Sequence, residues 1–337
     1  MRLTRRGKGV VAIVIGAAVA AFLHGPRGLD AVIAPGLVAL AVGVVQVWRV
    51  DPPEIERQLP DRGTREGTVT VTIDVDIDDT VGGRFHDEVG EGLSATGNDR
   101  IVTLAGGAIE YDLSLPERGE HAVGPLSIEI TDVLGLAAVT YRYDVRDEIL
   151  VRPRVLPISI PPGEIYPEYG DFGPERGDFD YLREYEPGDP THDIHWKSSA
   201  KTADGSLLVS EFSASEEGID AITVAVDAVS GTGDETADAA ASLVVFLMEA
   251  GLEVGLRTVT ADVEPGLGLD HRNDLLDALA RFDTGRLGNR HLAESEVHVS
   301  GTDRGVLIET GERTIGAAEV LDGTGAKQRE EKARIPA

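Results

Sequence analysis

Two long apolar segments near the N-terminus constrain this chain more than any other feature. They cover residues 9–23 and 31–48, and a short break around Pro26 separates them. A helix that crosses a bilayer needs about 20 predominantly apolar residues, and Gly and Pro favour a turn between two such helices. We therefore predict a hairpin of two transmembrane helices over residues 1–50.

The basic residues beside these segments predict the orientation of the hairpin. Arg2, Arg5, Arg6 and Lys8 precede the first segment, and Arg49 follows the second. Because Lys and Arg near a span are retained on the cytoplasmic side, we expect a multi-pass protein of the cell membrane whose soluble domains face the cytoplasm. The alternative is a cleaved secretory signal followed by one anchor and an exterior domain.

Charge and cysteine content exclude several classes of function. The chain carries 59 Asp and Glu against 31 Lys and Arg, has a formal net charge of -28, and contains no cysteine. Self-repulsion of this size is screened in molar salt, so the composition resembles that of a halophile's protein surface. Clustered Lys and Arg, which nucleic-acid phosphates require, are missing after the hairpin, and we expect no nucleic-acid partner. Disulfides, thiolate nucleophiles and Cys-ligated metals are excluded as well.

The hydrophobic period then predicts a β-sandwich over residues 51–155. Apolar and polar residues alternate strictly from 68 to 77, as in a strand with one buried face. Further short β-branched segments, separated by Gly, Asp and Pro turns, cover residues 101–104, 109–115, 127–131 and 139–145. This pattern is typical of an immunoglobulin-like sandwich.

The period changes again in the C-terminal part. Residues 156–215 combine a Pro/Gly-rich linker with a dense polar segment, and residues 216–322 alternate between strand and helix patterns. Strands are predicted at 219–226, 252–259, 297–299 and 305–309, and helices at 235–249 and 273–282. Such alternation predicts an α/β domain with a mostly parallel sheet, whose ligand crevice lies at the carboxyl ends of the strands. Residues 323–337 are predicted to be a flexible charged tail.

The dense polar segment, residues 179–200, has the most conspicuous group of functional side chains. It combines Arg183, Asp189, His195, Trp196 and Lys197 around a Pro-Gly-Asp-Pro turn. An Arg183–Asp189 pair that is partly buried would act as a structural clasp, and the same residues at the surface would form a binding site. A hydrolase in which His195 acts as general base is a further alternative. No nucleophile, P-loop or dinucleotide motif accompanies it.

This segment resembles the signature of the domain-of-unknown-function 58 family. The matching residues are Arg183, Tyr185, Gly188, Asp189, Ile194, Trp196, Lys197 and Ala200, with His195 inside the motif. The family's usual arginine before the isoleucine is replaced by His192 and Asp193, which weakens any role that needs a second cation. The resemblance continues upstream through residues 118–126, 132–136 and 150–154.

The resemblance implies a membrane-tethered protein with a von Willebrand factor A-like domain, a MoxR-type AAA+ ATPase as partner, and no established reaction. Domains of that type bind Mg²⁺ at a D-x-S-x-S loop after the first strand. Here Asp227 is followed by Val229 and Gly231 at the hydroxyl positions, and Ser230 and Thr232 each come one residue late. Because Mg²⁺ requires near-octahedral oxygen geometry, we expect no metal cofactor. A strand-end turn in which Asp227 and Ser230 cap the following helix is the simpler interpretation.

These observations together predict a non-enzymatic, membrane-anchored scaffold that binds a MoxR-type ATPase or another membrane-associated protein. Arg183, Tyr185, Gly188, Asp189, Ile194, His195, Trp196 and Lys197 are its candidate working residues. A metal-dependent adhesion module that uses Asp227, Ser230 and Thr232 is the alternative.

Overall fold

The computed structural model describes residues 1–24, 28–159, 179–184, 208–212, 221–311 and 313–321. The chain divides into two compact units, residues 1–153 and 154–337. The sandwich was predicted to end at residue 155, but Arg154 and Val155 belong to the second unit.

The first unit begins with a short strand and the two apolar helices. Strand β1 (Arg2–Leu3) leads into helix α1 (Arg5–His24), and helix α2 (Asp30–Arg49) follows. Among the described residues, these are the two helices long and apolar enough to cross a membrane, with mean hydropathies of 1.8 and 2.1. The prediction of two N-terminal apolar helices is therefore confirmed. The side chain of Val14 in α1 lies close to Gly36 in α2, as expected of an antiparallel hairpin.

Short strands make up the rest of this unit. They are β2 (Glu54–Gln58), β3 (Arg62–Thr64), β4 (Gly67–Asp76), β5 (Val81–Val89), β6 (Ser94–Thr96), β7 (Asp99–Leu104), β8 (Gly107–Leu115), β9 (Gly119–Thr131), β10 (Ala137–Tyr143) and β11 (Asp147–Arg152). One sheet has the order β1-β10-β9-β11-β3, with β5 attached to β9 and β7 attached to β5. The other sheet has the order β2-β4-β8-β6.

A single apolar core joins these two sheets. Val71, Ile73 and Val75 of β4 are buried, in agreement with the predicted alternation. Phe85 of β5 and Leu126 of β9 are fully buried in the same core. The predicted two-sheet sandwich is confirmed.

The second unit contains a ribbon and a mixed α/β layer. The ribbon pairs β12 (Phe179–Glu184) with β13 (Leu208–Phe212). The layer consists of β14 (Ile222–Ala228), α3 (Gly233–Glu249), β15 (Val254–Arg257), β16 (Asp262–Gly266), α4 (Leu269–Ala280), α5 (Asn289–Ala293), β17 (Val297–Thr302), β18 (Gly305–Thr310), β19 (Arg313–Gly316) and α6 (Ala317–Val320).

The sheet of this layer has the order β16-β15-β14-β17-β18-β19. Strand β14 is parallel to β15 and β17, whereas the pairs toward both edges are antiparallel. The prediction of a mostly parallel sheet was therefore wrong at the edges in the part of the chain that is described. A tight Thr302–Gly305 turn joins β17 to β18, and so short a connection can only return the chain antiparallel.

Helix α3 packs its apolar side against the central strands. It contributes Ala237, Ala240 and Val244 to the core that also contains Val224 and Val226 of β14. The helix ends as the sequence predicts, because Gly251 adopts φ +92° and the Leu252 amide donates to the Leu247 carbonyl at 3.2 Å.

Residues 154–159 lie against the α/β layer. The Arg154 backbone amide and its Nε each donate to Asp238 of α3 at 2.8 Å, and the Leu156 amide donates to Ser242 Oγ at 2.8 Å. Ile158 forms a bridge with Leu321. The predicted linker over 156–215 therefore begins with residues that pack on the second unit.

Candidate functional site

The signature residues of the sequence are only partly described. Arg183 lies in β12, where its backbone is paired with Val209 of β13. Tyr185, Gly188, Asp189, Ile194, His195, Trp196 and Lys197 lie outside the described residues. The choice between clasp and binding surface, and the hydrolase alternative based on His195, stay predictions.

The ribbon pairs the start of the signature segment, residues 179–184, with residues 208–212. Glu184, at the end of β12, is paired with Leu208 at the start of β13.

Asp227 marks a polar site at the carboxyl end of the central strand β14. Its side chain is 2% exposed. Oδ1 accepts a hydrogen bond from Arg286 Nη1 at 2.9 Å, and Oδ2 accepts one from the Leu287 amide at 3.1 Å. The segment 285–287 reaches this position because Gly285 and Ala228 exchange backbone hydrogen bonds.

A histidine and a second carboxylate extend this site. His298 lies on the parallel strand β17, and its Nε2 is 3.2 Å from Asp227 Oδ1, without the alignment of a hydrogen bond. Its Nδ1 is 3.2 Å from Glu309 Oε2 on β18. We call this site the strand-end cluster; it consists of Asp227, Arg286, His298 and Glu309. In it, the buried Asp227 carboxylate lies close to both a guanidinium and an imidazole.

The predicted metal candidates do not converge in this geometry. Both carboxylate oxygens of Asp227 already have protein partners. Ser230 is exposed, and the Thr232 hydroxyl donates to the Val229 carbonyl at 2.9 Å. Within the described ranges, no group of three or more His, Asp or Glu side chains is arranged to hold a metal ion.

The simpler interpretation, in which Asp227 and Ser230 cap the following helix, differs from the contacts that Asp227 makes. Helix α3 begins after Thr232, whose side chain makes no capping hydrogen bond to the first turn. Asp227 points instead to the 285–287 segment, because that loop presents a guanidinium and a backbone amide to it.

A buried polar cluster, which we call the inter-sheet clasp, crosses the sandwich core. Arg57 of β2 donates to Asp87 of β5 through Nη2 at 2.7 Å and through Nε at 3.2 Å. The Tyr111 hydroxyl of β8 donates to Asp87 Oδ2 at 2.8 Å, and Arg57 Nη1 also contacts Asp147 of β11. Because β2 and β8 belong to one sheet and β5 and β11 to the other, the clasp joins the two layers.

Burial determines the protonation of the clasp. It raises the pKa of the Asp87 carboxyl, and the Arg57 charge and the Tyr111 hydrogen bond offset part of that rise. Burial and the neighbouring Asp87 charge raise the pKa of Tyr111, so its phenol stays protonated and remains a donor.

The sequence alone did not predict the inter-sheet clasp or the strand-end partners Arg286, His298 and Glu309. It also did not predict that residues 132–136 contact the hairpin. One signal was available for the clasp. In β5 the inward positions are Val81, Gly83, Phe85 and Asp87, so an acid occupies the apolar phase of the alternation. No comparable signal exists for Arg286 or His298, because the Gly285–Ala228 backbone pairing brings the first to Asp227 and the pairing of β14 with β17 brings the second.

No family model and no curated protein matches this chain. Solved structures that are similar to part of it include the PKD domain of an M14-like peptidase from a Thermoplasmatales archaeon, at 15% identity, 30% of this chain, 97% of that chain and a TM-score of 0.20.

Two others are a FixG-related protein from Vibrio parahaemolyticus (14% identity, 30% and 98% coverage, TM-score 0.21) and the SrpA adhesin from Streptococcus sanguinis (10% identity, 40% and 82% coverage, TM-score 0.22).

Proposed function

We propose that this protein is a membrane-anchored, non-enzymatic scaffold of the domain-of-unknown-function 58 type, which presents its soluble units to another protein in the cytoplasm. The observation that carries the proposal is the path of the first 50 residues. Strand β1 pairs with β10 of the sandwich, α1 leads away, and α2 returns to a chain that continues into β2. A hairpin that begins and ends at the sandwich would, across a bilayer, leave both of its ends on the same side.

The charges at that end favour the cytoplasm. Arg2, Arg5, Arg6 and Lys8 precede or begin α1, and Arg49 ends α2. Basic residues beside a span remain in the cytoplasm, so the sandwich and the N-terminus belong there together.

The strand-end cluster supports a binding role over metal-dependent chemistry. A magnesium ligand must offer a free oxygen lone pair in a fixed geometry, and the Asp227 oxygens are directed at Arg286 and Leu287. We also propose that the sandwich is immunoglobulin-like and that the α/β layer is von Willebrand factor A-like.

The partner follows from the resemblance of residues 179–200. That resemblance suggests a MoxR-type AAA+ ATPase, with Arg183, Asp189, Trp196 and Lys197 as the working residues. Upstream of that segment, Asp238 of α3 accepts hydrogen bonds from the backbone amide and the side chain of Arg154.

Labelling of single cysteines tests the anchor, because the chain contains no cysteine of its own. Val145→Cys lies in an exposed loop of the sandwich, and Leu29→Cys lies in the turn of the hairpin. We expect a membrane-impermeant maleimide to label Val145→Cys only in inverted vesicles and Leu29→Cys only in right-side-out vesicles. The reverse pattern would place the sandwich outside the cell.

Binding of the purified full chain to a purified MoxR-type ATPase tests the partner. We expect Trp196→Ala to abolish binding, whereas Ile101→Ala, at an 86% exposed sandwich position, leaves it unchanged. Loss of binding with an intact fold assigns Trp196 to a binding surface. Loss of the fold assigns it to the structural clasp predicted for Arg183 and Asp189. Full binding by a folded Trp196→Ala chain would remove both roles.

A further inference from the structure

The loop between β9 and β10, residues 132–136, contacts both helices of the hairpin. The Thr4 amide, at the start of α1, donates to the Leu136 carbonyl at 2.9 Å. Gln46 Oε1 of α2 accepts from the Val133 amide at 3.4 Å.

Two glycines make this close approach possible. A Cβ at Gly7 of α1 would lie 2.1 Å from the Leu136 oxygen, and one at Gly43 of α2 would lie 3.0 Å from Asp132 Oδ2. The loop is therefore fitted to the two helices at the end of the hairpin nearest the sandwich.

The loop itself is held in one conformation by Asp132, which is 4% exposed. Its Oδ1 accepts from the Leu136 and Ala137 amides at 2.6 Å each, and its Oδ2 accepts from the Leu134 amide at 3.0 Å. Carboxylates that accept several backbone amides fix a turn strongly. Gly135 completes the turn with φ +67° and donates its amide to the Asp132 carbonyl at 2.9 Å.

This rigid turn presents two large apolar side chains to the outside. Val133 is 84% exposed and Leu134 is 54% exposed. They are adjacent and occupy the tip of the loop, beside helices whose own apolar side chains are exposed.

The height of the tip along the hairpin indicates what covers it. Helix α2 has 20 residues, so at 1.5 Å per residue it is about 30 Å long, which equals the thickness of a hydrocarbon core. The loop meets α2 at Gln46, three residues before its end at Arg49, or about 4.5 Å inside it. If the hydrocarbon core covers the full length of α2, it therefore reaches the level of Val133.

We propose that Val133 and Leu134 insert into the lipid interface, so that the sandwich is moored to the bilayer by this loop as well as by the hairpin. The inference rests on the proposed membrane anchor. Arg6 lies beside Gly135, with Nη1 3.8 Å from a Cβ built there, and Arg5 and Lys8 occupy the same turn of α1. These cations stand where lipid phosphates lie, and anionic phospholipids are the preferred surface.

Environment-sensitive fluorescence on single cysteines tests this inference. The full chain is reconstituted into vesicles of phosphatidylglycerol and phosphatidylcholine and labelled at Val133→Cys, Val145→Cys or Ile13→Cys. Val133 and Val145 are exposed valines in loops at opposite ends of β10, a strand of seven residues, or about 23 Å. Ile13, in the middle of α1 and 61% exposed, reports on the hairpin.

We expect the probes at Val133 and Ile13 to emit at shorter wavelength than the probe at Val145. Brominated acyl chains should quench both, and aqueous iodide should quench them several-fold less than the probe at Val145. Because Val133 is exposed, its replacement removes no core packing.

The outcomes separate the two levels of the proposal. If Ile13 is quenched by lipid and Val133 responds to iodide as Val145 does, the loop inference is wrong and the anchor stands. If Ile13 itself is open to iodide, the anchor fails. Shielding of Val133 from iodide without quenching by brominated lipid would mean that protein covers the tip, and it would overturn the assignment to lipid.

Discussion

At the scale of single residues, burial decides what an ion pair contributes to the sandwich. Arg57 and Asp87 have side chains 3% and 0% exposed, whereas Arg84 and Asp99 are 61% and 37% exposed. Both pairs have a closest N–O distance of 2.7 Å. Water screens the exposed pair, whereas the charges of the buried pair are balanced, within the described part of the chain, by Tyr111, Asp147 and backbone oxygens.

This difference predicts a large loss of stability for one of two matched substitutions and none for the other. Arg57→Ala leaves the Asp87 carboxylate buried without its cation, and we expect it to lower the free energy of unfolding of the sandwich by about 3–5 kcal/mol. Arg84→Ala removes an exposed guanidinium, and we expect no measurable change. Denaturant unfolding of the full chain, followed by hydrogen exchange in β5 and β8, measures both. Equal effects would mean that the clasp does not hold the sheets together.

The exposed pair has its own signature in titration. Hydrogen bonding from Arg84 lowers the pKa of Asp99 below its usual 3.8. A depressed carboxyl pKa contributes stability above 3.8, and that stability is lost as the pH falls through the folded-state value. Arg84→Gln should return the Asp99 pKa toward 3.8, as measured by NMR titration of its side-chain carboxyl carbon. An unchanged pKa would mean that the ion pair does not form in solution.

At the scale of elements, the packing of α3 on the sheet depends on a glycine. A Cβ at Gly301 of β17 would lie 2.2 Å from Thr236 Oγ1 and 2.4 Å from Thr232 Oγ1. Both hydroxyls are hydrogen-bonded to backbone carbonyls, so they are not free to move aside. The first turn of α3 therefore rests directly on the backbone of β17.

We expect Gly301→Ala to destabilise the α/β layer by about 1–3 kcal/mol, as overpacking of a filled core does. Gly288→Ala is the control, because a Cβ there meets nothing within 4 Å and the residue has φ -71°. Hydrogen exchange of the α3 amides and the denaturant midpoint measure the effect. If the two variants are equally stable, α3 can shift away from β17 without cost.

At the scale of the whole molecule, net charge predicts a dependence on salt. A formal charge of -28 on 337 residues repels itself in dilute buffer. Raising KCl from about 0.1 M to about 1 M shortens the Debye length from about 10 Å to about 3 Å. We expect the melting temperature of the full chain to rise over this range, as measured by differential scanning calorimetry. A constant or falling melting temperature would show that the acidic surface is not adapted to salt.

Patterns of local period were sufficient to predict most regular elements. The apolar segments became α1 and α2, and the alternation at 68–77 became β4. The helix predicted at 235–249 became α3. Short edge strands such as β3 and β6 have three residues each, and segments so short contain too few residues to display a period. The antiparallel edges of the α/β sheet were missed because strand direction follows from connections, not from composition.

The sequence alone determined the apolar hairpin, the two-sheet sandwich and the acidic, cysteine-free surface, because hydropathy, period and charge are properties of neighbouring residues. Only the tertiary structure decided which distant side chains meet: Arg57 with Asp87 across two sheets, Asp227 with Arg286 and His298, and the Asp132 turn with both hairpin helices. Those contacts depend on strand order, register and the paths of loops, and a change of one residue in register would turn the strand residues Arg57, Asp87, Asp227 and His298 to the opposite face.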